Sequence, residues 1–394
     1  YMSSFLRIAL VFLIACSINT NAQSNDKKIS KFAEYSKKQK AKYKNFKSDH
    51  LKRYENYRKE VKAKWGVAEL SSKTEYIHYN QKNKTKVLTN FENDTIEVSI
   101  LDADSLSDNE VDMRIRNAIL DSLDKQPETI ASKQVQFNTA TNRKLTPVIN
   151  NIPPTPTVLN HLGIGSSAEL SSVLETVEVV STKQQQQTVI KRTESRLEKQ
   201  IAGIENFIDN EDISTEQAQA PKALLVSMKK EKNAIKHDAS ALLNKNIKTY
   251  KINLKRNRYS KAQQYLQLVE SNAKKWQLAN DFILAIIETE SHFNPLAKSH
   301  IPAYGLMQIV PETAGVDVNK KILGMKDKPT PELLFSSSDN IKYGSAYIHI
   351  LMTRYLKEIE NPTSRLYCAI AAYNTGIGNV ARAFNNGKKG CILF

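Results

Sequence analysis

The chain has 394 residues, 40% of them hydrophobic and 25% charged, which fits globular domains with ordinary cores and excludes a membrane-embedded helix bundle. With 57 Lys and Arg against 41 Asp and Glu, its net charge of +16 favours polyanionic surroundings: nucleic acid, anionic lipid or a cell wall carrying carboxylates. Cys16, Cys368 and Cys391 are the three cysteines, and no Cys-x-x-Cys or His-Glu-x-x-His spacing occurs, so no metal or other cofactor is called for.

Arg7 precedes the apolar run Ile8–Ala15, too short to span a bilayer but suited to the core of a signal peptide. The run ends in Leu13-Ile14-Ala15-Cys16, the pattern of a bacterial lipobox in which Cys16 is acylated. Cleavage after Ala22 is the rival reading. The leader is therefore 1–22, and both readings export the chain to the cell envelope. The first gives an outer-membrane lipoprotein facing the periplasm, the second a periplasmic protein. Export argues against a nucleic-acid partner.

From 27 to 64 Lys and Arg are dense, and aromatic pairs three apart (Phe32/Tyr35, Tyr43/Phe46, Tyr54/Tyr57) predict a long basic helix closed by Trp65-Gly66. It reads as a solvated tether, or as a second attachment to the anionic membrane beside the lipid anchor. Residues 85–100 alternate on either side of Asn93-Asp94 and predict a β-hairpin. A helix follows near Val111–Leu123, then a proline-rich linker over 146–156, a strand at Thr176–Val180, and polar helical sequence over 190–245. This places an α+β N-terminal domain with linkers at 27–245, and a mainly helical domain at 246–394. There Tyr259–Trp276 predicts an amphipathic helix, and Asn280-Asp281 a cap for another over Phe282–Glu290. Cys368 reads as a buried free thiol and Cys391 as a tail thiol.

On that last helix Ile283, Ile287 and Glu290 share one face, while Glu288 points to roughly the opposite side. A carboxyl ending an apolar stripe is partly desolvated, which favours its protonated form and suits a general acid. A solvated Glu at a helix end has the same spacing, so periodicity alone does not choose.

The neighbouring residues do. Glu290-Ser291-His-Phe293-Asn-Pro295-Leu-Ala297-Lys-Ser299, then Gly305-Leu-Met-Gln308-Ile-Val-Pro311-Glu-Thr313-Ala314, then Ala372-Tyr373-Asn374-Thr-Gly376, resemble in order three motifs of the soluble lytic transglycosylase (goose-lysozyme-like) family. Ile286–Ser291, Thr313–Val318 and Asn361–Arg365 look more particularly like the membrane-bound lytic murein transglycosylases, with Trp65-Gly66 and the hairpin a fainter likeness. The resemblance implies a lysozyme-like catalytic fold with Glu290 as the single acid–base. Ser299 and Gln308 would contact sugar, Tyr373 would face the carboxyl, and Asn374 would be its motif neighbour.

The family's chemistry follows. Glu290 protonates the oxygen between N-acetylmuramic acid and N-acetylglucosamine, the muramyl acetamide assists at C1, and Glu290 then takes the C6 hydroxyl proton to close a 1,6-anhydro ring. Ordinary glycosidases use two carboxylates. Here Glu312 and Asp317 are the candidates for a second, with no motif tying them to the groove. The implied partner is the glycan strand of peptidoglycan. A muramidase on the same fold and a non-catalytic wall-binding protein are the alternatives. Pro302-Ala303-Tyr304 replaces the family's Gly-Ala pair, and the end at Phe394 implies a catalytic domain shortened at its C-terminus.

Overall fold

The computed structural model describes residues 56–57, 59–80, 82, 84–130, 156–210, 215–240, 246–299 and 303–384. The leader with Cys16, nearly all of the basic segment, the proline-rich linker apart from Pro156, and Cys391 lie outside them. The chain is mostly helical with a small antiparallel sheet. It divides into two compact units. One comprises Arg58–Glu194 and Ala234–Tyr347; the other draws its described residues chiefly from Ser195–Asn233 and Ile348–Phe394.

In the first unit a helical turn over 59–65 ends at Gly66, whose φ of 76° admits the left-handed turn that a side chain resists. Strands β1 (Glu75–Asn80), β2 (Thr85–Asn90) and β3 (Thr95–Leu101) form a meander. Helix α1 (Asp108–Leu123) then opens on a capping box between Ser107 and Glu110. Helices α2 (Val158–His161) and α3 (Ser167–Leu174) lead to the short strand β4 (Glu178–Val180). Two long helices, α4 (Thr182–Asn210) and α5 (Thr215–Ser240), follow, and strand β5 (Ile247–Asn253) completes a sheet of order β1-β2-β3-β5-β4.

The sheet register separates two faces. Val87, Val98, Ile100, Tyr250 and Ile252 point to one side, and α1 lies against β2 and β3 with Val111, Ile115 and Ile119 buried. The other side carries Glu97, Lys86 and the Ser99–Thr249 hydroxyl pair, which bond at 2.8 Å. Arg192 of α4 closes over it with a two-pronged bond to Glu97 at 2.9 and 2.5 Å, and also neighbours Glu69 and Glu75. Lys86 pairs with Glu69. Val189 and Ile235 pack beside this network against Val61, Trp65, Val67, Ala68 and Ile247.

The expected hairpin is present as β2 and β3. Asn90 Oδ1 accepts from the backbone of Glu92 and Asn93, an Asx turn, and Asp94 takes φ 54°. Strands β1 and β5 escape the alternation test because His78, Tyr79, Asn80, Lys248 and Lys251 interrupt it.

The chain continues as α6 (Arg258–Gln263), α7 (Leu266–Trp276) and α8 (Asn280–Ser291). The single helix expected over Tyr259–Trp276 is thus two, broken at Gln264-Tyr265. Tyr265 is fully buried while Tyr259 is exposed, so one continuous stripe does not serve both. The expected cap of α8 is also corrected: Ala279 takes the capping position, and Asn280 and Asp281 lie inside the first turn. A π-helical turn at Pro311–Gly315, the single turn α9 (Val316–Val318), and helices α10 (Pro331–Phe335) and α11 (Ser337–Ile350) follow.

In the second unit α4 and α5 join through Leu197, Ile204, Leu224 and Met228, with ion pairs Lys229–Glu205 at 2.7 Å and Lys232–Glu198 at 2.8 Å. Helix α12 (Pro362–Thr375) is capped by Asn361, whose side chain accepts from Ser364 N, and stops at Gly376 with φ 97°; α13 (Ile377–Phe384) follows. Cys368 is half-buried on α12.

Candidate active site

Glu290 closes the last turn of α8. Ile287 and Ile283, one and two turns earlier, have no exposed surface, and burying each contributes about 1.5–3 kcal/mol that fixes the rotation of the helix. The Glu290 side chain keeps 13% of its exposure, on the edge of that buried stripe. Glu288, on the other side, pairs with Arg258 at 2.5 Å.

Past Ser291 the backbone reverses through two consecutive non-glycine residues of positive φ, His292 at 51° and Phe293 at 64°. Such backbone costs of order 1 kcal/mol or more per residue and persists only where the surroundings enforce it. Here the Phe293 ring stacks on Tyr265 at 6.0 Å, Tyr265 stacks on His161 at 5.3 Å, and the Tyr265 hydroxyl donates to Phe293 O at 3.3 Å. The turn carrying Glu290 into its motif is therefore held from beneath by three rings.

His161 is buried in that stack. Desolvation pushes its imidazole down to about 4 despite a 3.0 Å contact of Nδ1 with Gln264, and the nearby Arg256 cation adds to the effect. Asn294, also fully buried, donates from Nδ2 to Lys73 O at 3.0 Å and accepts from Leu296 N at 2.9 Å. Lys73 itself reaches back: its Nζ lies 2.7 Å from Glu290 Oε2.

The loop after α8 carries the next two expected residues. Ser299 Oγ accepts from Ala303 N at 3.1 Å. Gln308 is buried with φ 48°, and its Nε2 donates to Ala297 O at 3.1 Å and Gly305 O at 3.0 Å. Its Oε1 is buried and, among the described residues, has no hydrogen-bond partner. The amide nitrogen is thus spent on shaping the turn.

Gly305 has φ 72°, and a Cβ there would overlap the Leu334 carbonyl oxygen and the Asn340 amide. Asn340, with no exposed surface, donates to Tyr304 O at 2.8 Å and Leu334 O at 2.6 Å and accepts from Met307 N at 2.7 Å. Leu306 and Met307 are fully buried, the sulfur of Met307 lying in the space a side chain on Gly344 would take. Tyr373, half-buried, and Asn374, exposed, lie on α12 in the second unit.

Glu312 pairs with Lys328 at 2.6 Å and Asp317 with Lys321 at 3.0 Å. Each candidate second carboxylate is thus engaged by its own lysine. Sequence reading missed Lys73, Asn294 as a side chain, and Asn340. The first lies 217 positions from its partner, and no periodicity spans such a distance.

Residues 267–391, which include Glu290 and the Gly305 turn, match the Transglycosylase SLT domain. Over this region the chain is similar to membrane-bound lytic murein transglycosylase C of Salmonella typhimurium, 46% identical over 138 residues, 35% of this chain and 38% of that protein. It is likewise similar to the protein of that name from Yersinia enterocolitica, 45% identical over 132 residues (34% and 37%), and from Histophilus somni, 44% over 128 (32% and 35%). The chain thus matches less than two fifths of the length of these curated relatives. No helix among the described residues is long and apolar enough to cross a membrane.

Proposed function

We propose that this chain is a peptidoglycan lytic transglycosylase that cleaves the bond between N-acetylmuramic acid and N-acetylglucosamine without water and leaves 1,6-anhydro-muramyl ends. The observation that carries the reading is one carboxyl, Glu290, presented with 13% of its exposure at the end of a buried apolar stripe inside the SLT match. With one carboxyl at the bond, the substrate supplies the nucleophile. Glu290 protonates the bridging oxygen as the muramyl acetamide oxygen closes on C1. As carboxylate, it then takes the C6 hydroxyl proton while that oxygen displaces the acetamide.

In this proposal Ser299 and Gln308 contact sugar, and Tyr373 and Asn374 take the sugar-binding roles that their motif implies. The domain plan is a lysozyme-like catalytic domain over 246–394 behind an α+β N-terminal domain over 27–245. The chain is anchored in the envelope by lipid on Cys16 and by the basic segment, or is periplasmic if cleaved after Ala22. The relatives' printed names, which call them membrane-bound, support the envelope.

Purified peptidoglycan digested with the chain and with Glu290→Gln, followed by mass spectrometry of the products, tests the proposal. Anhydro-muramyl ends are expected from the first, with a loss on the order of 100-fold or more in the second. Reducing muramyl ends would instead mark a hydrolase, and no products from either would mark a binding protein.

A further inference from the structure

The segment Ser71–Lys73, just before β1, meets the motif that begins at the end of α8, and both lie in one compact unit. It is fixed on its own side by β1: Ser72 N donates to Glu75 O at 2.8 Å, Ser72 Oγ accepts from Glu75 N at 3.2 Å, and Ser71 Oγ accepts from Ile77 N at 2.9 Å. On the motif side Asn294, fully buried, holds the Lys73 carbonyl at 3.0 Å, and the Lys73 ammonium meets Glu290 Oε2 at 2.7 Å. Backbone and side chain of one residue are thus both bound by the motif, four residues apart within it. The Lys73 side chain keeps a third of its exposure and the Glu290 side chain 13%, so the pair is neither solvated freely nor sealed.

We infer that Lys73, delivered by the N-terminal sheet, is a positioning residue for Glu290. The inference rests on the reaction proposed above. The pair engages Oε2 and leaves Oε1 to face the glycosidic oxygen. When Glu290 gives its proton to that oxygen, the C1–O electron pair leaves with it and the acetamide oxygen bonds to C1. The carboxylate then formed has a cation 2.7 Å away that does not itself transfer a proton. The same cation holds the carboxylate in place for the second step, when it removes the C6 hydroxyl proton. A partly buried ion pair with geometry fixed from both sides is the arrangement in which such a charge is most effective.

Kinetics on soluble uncross-linked glycan strands with the full chain test this, using Lys73→Met and Lys73→Arg beside wild type. Lys73→Met is expected to lower kcat about tenfold or more with KM within about twofold, and Lys73→Arg to restore most of the rate. An unchanged kcat, a rise in KM alone, or a Lys73→Arg variant as slow as Lys73→Met overturns the inference. Melting temperatures of Lys73→Met, Glu290→Gln and the double variant give a readout independent of turnover. Losses that fail to add support the pair, and additive losses overturn it. A wild-type chain that releases no anhydro-muramyl ends would sink the proposed reaction, and the melting cycle alone would then decide the pair.

Discussion

Among single residues, Glu290 and His161 show how burial divides the work of ionisable groups. Glu290 keeps an edge in solvent beside the Lys73 ammonium, within reach of a ligand as its proposed role as acid–base needs. His161 sits nearly sealed between Arg256 and Tyr265 and titrates far below an ordinary imidazole. In the unfolded chain it binds a proton near pH 6.5, in the folded one only near pH 4. Its stabilising contribution is therefore complete above pH 6.5 and is lost as pH falls from there towards 4. The gap corresponds to about 3 kcal/mol. Urea unfolding at pH 7.5 and pH 4.5 should show a loss of that order in wild type, and a clearly smaller acid loss in His161→Gln. An identical acid loss in the variant would remove His161 from the account. The sequence held no hint of this, because a lone histidine four residues into a short helix has nothing in its pattern that reports a ring stacked on it from residue 265.

Among elements, the turn from Tyr304 to Ile309 is where motif and packing coincide. Gly305, Leu306, Met307 and Gln308 stood out in the sequence as a family signature, and the structure supplies the physical reason for each. Gly305 takes a backbone angle and a close approach that exclude a side chain, Leu306 and Met307 fill the core beneath, and Gln308 ties the turn to Ala297. Asn340 makes three bonds that clamp the turn from α11, yet nothing in the residues around 340 marks it. Gly305→Ala and Asn340→Ala should each cost about 2–4 kcal/mol, measured by denaturant midpoint, because one forces overlap and the other leaves buried backbone groups unpaired. A near-neutral Gly305→Ala would mean that the α10 carbonyl opposite can yield. The chain over Tyr259–Trp276 is two helices for a related reason: no single stripe serves both Tyr265, which belongs to the His161 stack, and Val269, Ala273 and Trp276, which are buried along α7.

For the molecule as a whole, excess positive charge was legible from composition, and its use follows from the proposed substrate. Peptidoglycan carries peptide carboxylates, and exposed cations attract them through a field that salt screens. Binding to purified sacculi, followed by sedimentation, should weaken several-fold as salt rises from about 0.05 to about 0.5 M, a range over which the screening length shrinks roughly threefold. Salt-insensitive binding would assign the affinity to the groove alone. The order of helices and the hairpin were readable because they depend on near neighbours. The five-stranded sheet was not, since β3 finds its partner β5 only after residues 102–246 have intervened.

That long excursion has a consequence for how the chain reaches its native state. It leaves and returns at a single spot, where Asp102 N donates to Asn246 O at 2.9 Å. The meander β1-β2-β3 needs only local turns and can form on the timescale of hairpins. The β3–β5 ladder must first close a very large loop, whose entropic cost falls entirely on that step. Lys73 stands at the start of the early meander, and Glu290 is joined to β5 through the short run of helices α6–α8. Lys73 and the proposed acid–base Glu290 thus lie on opposite sides of that closure, and the β3–β5 pairing is what brings their two segments of chain into one unit.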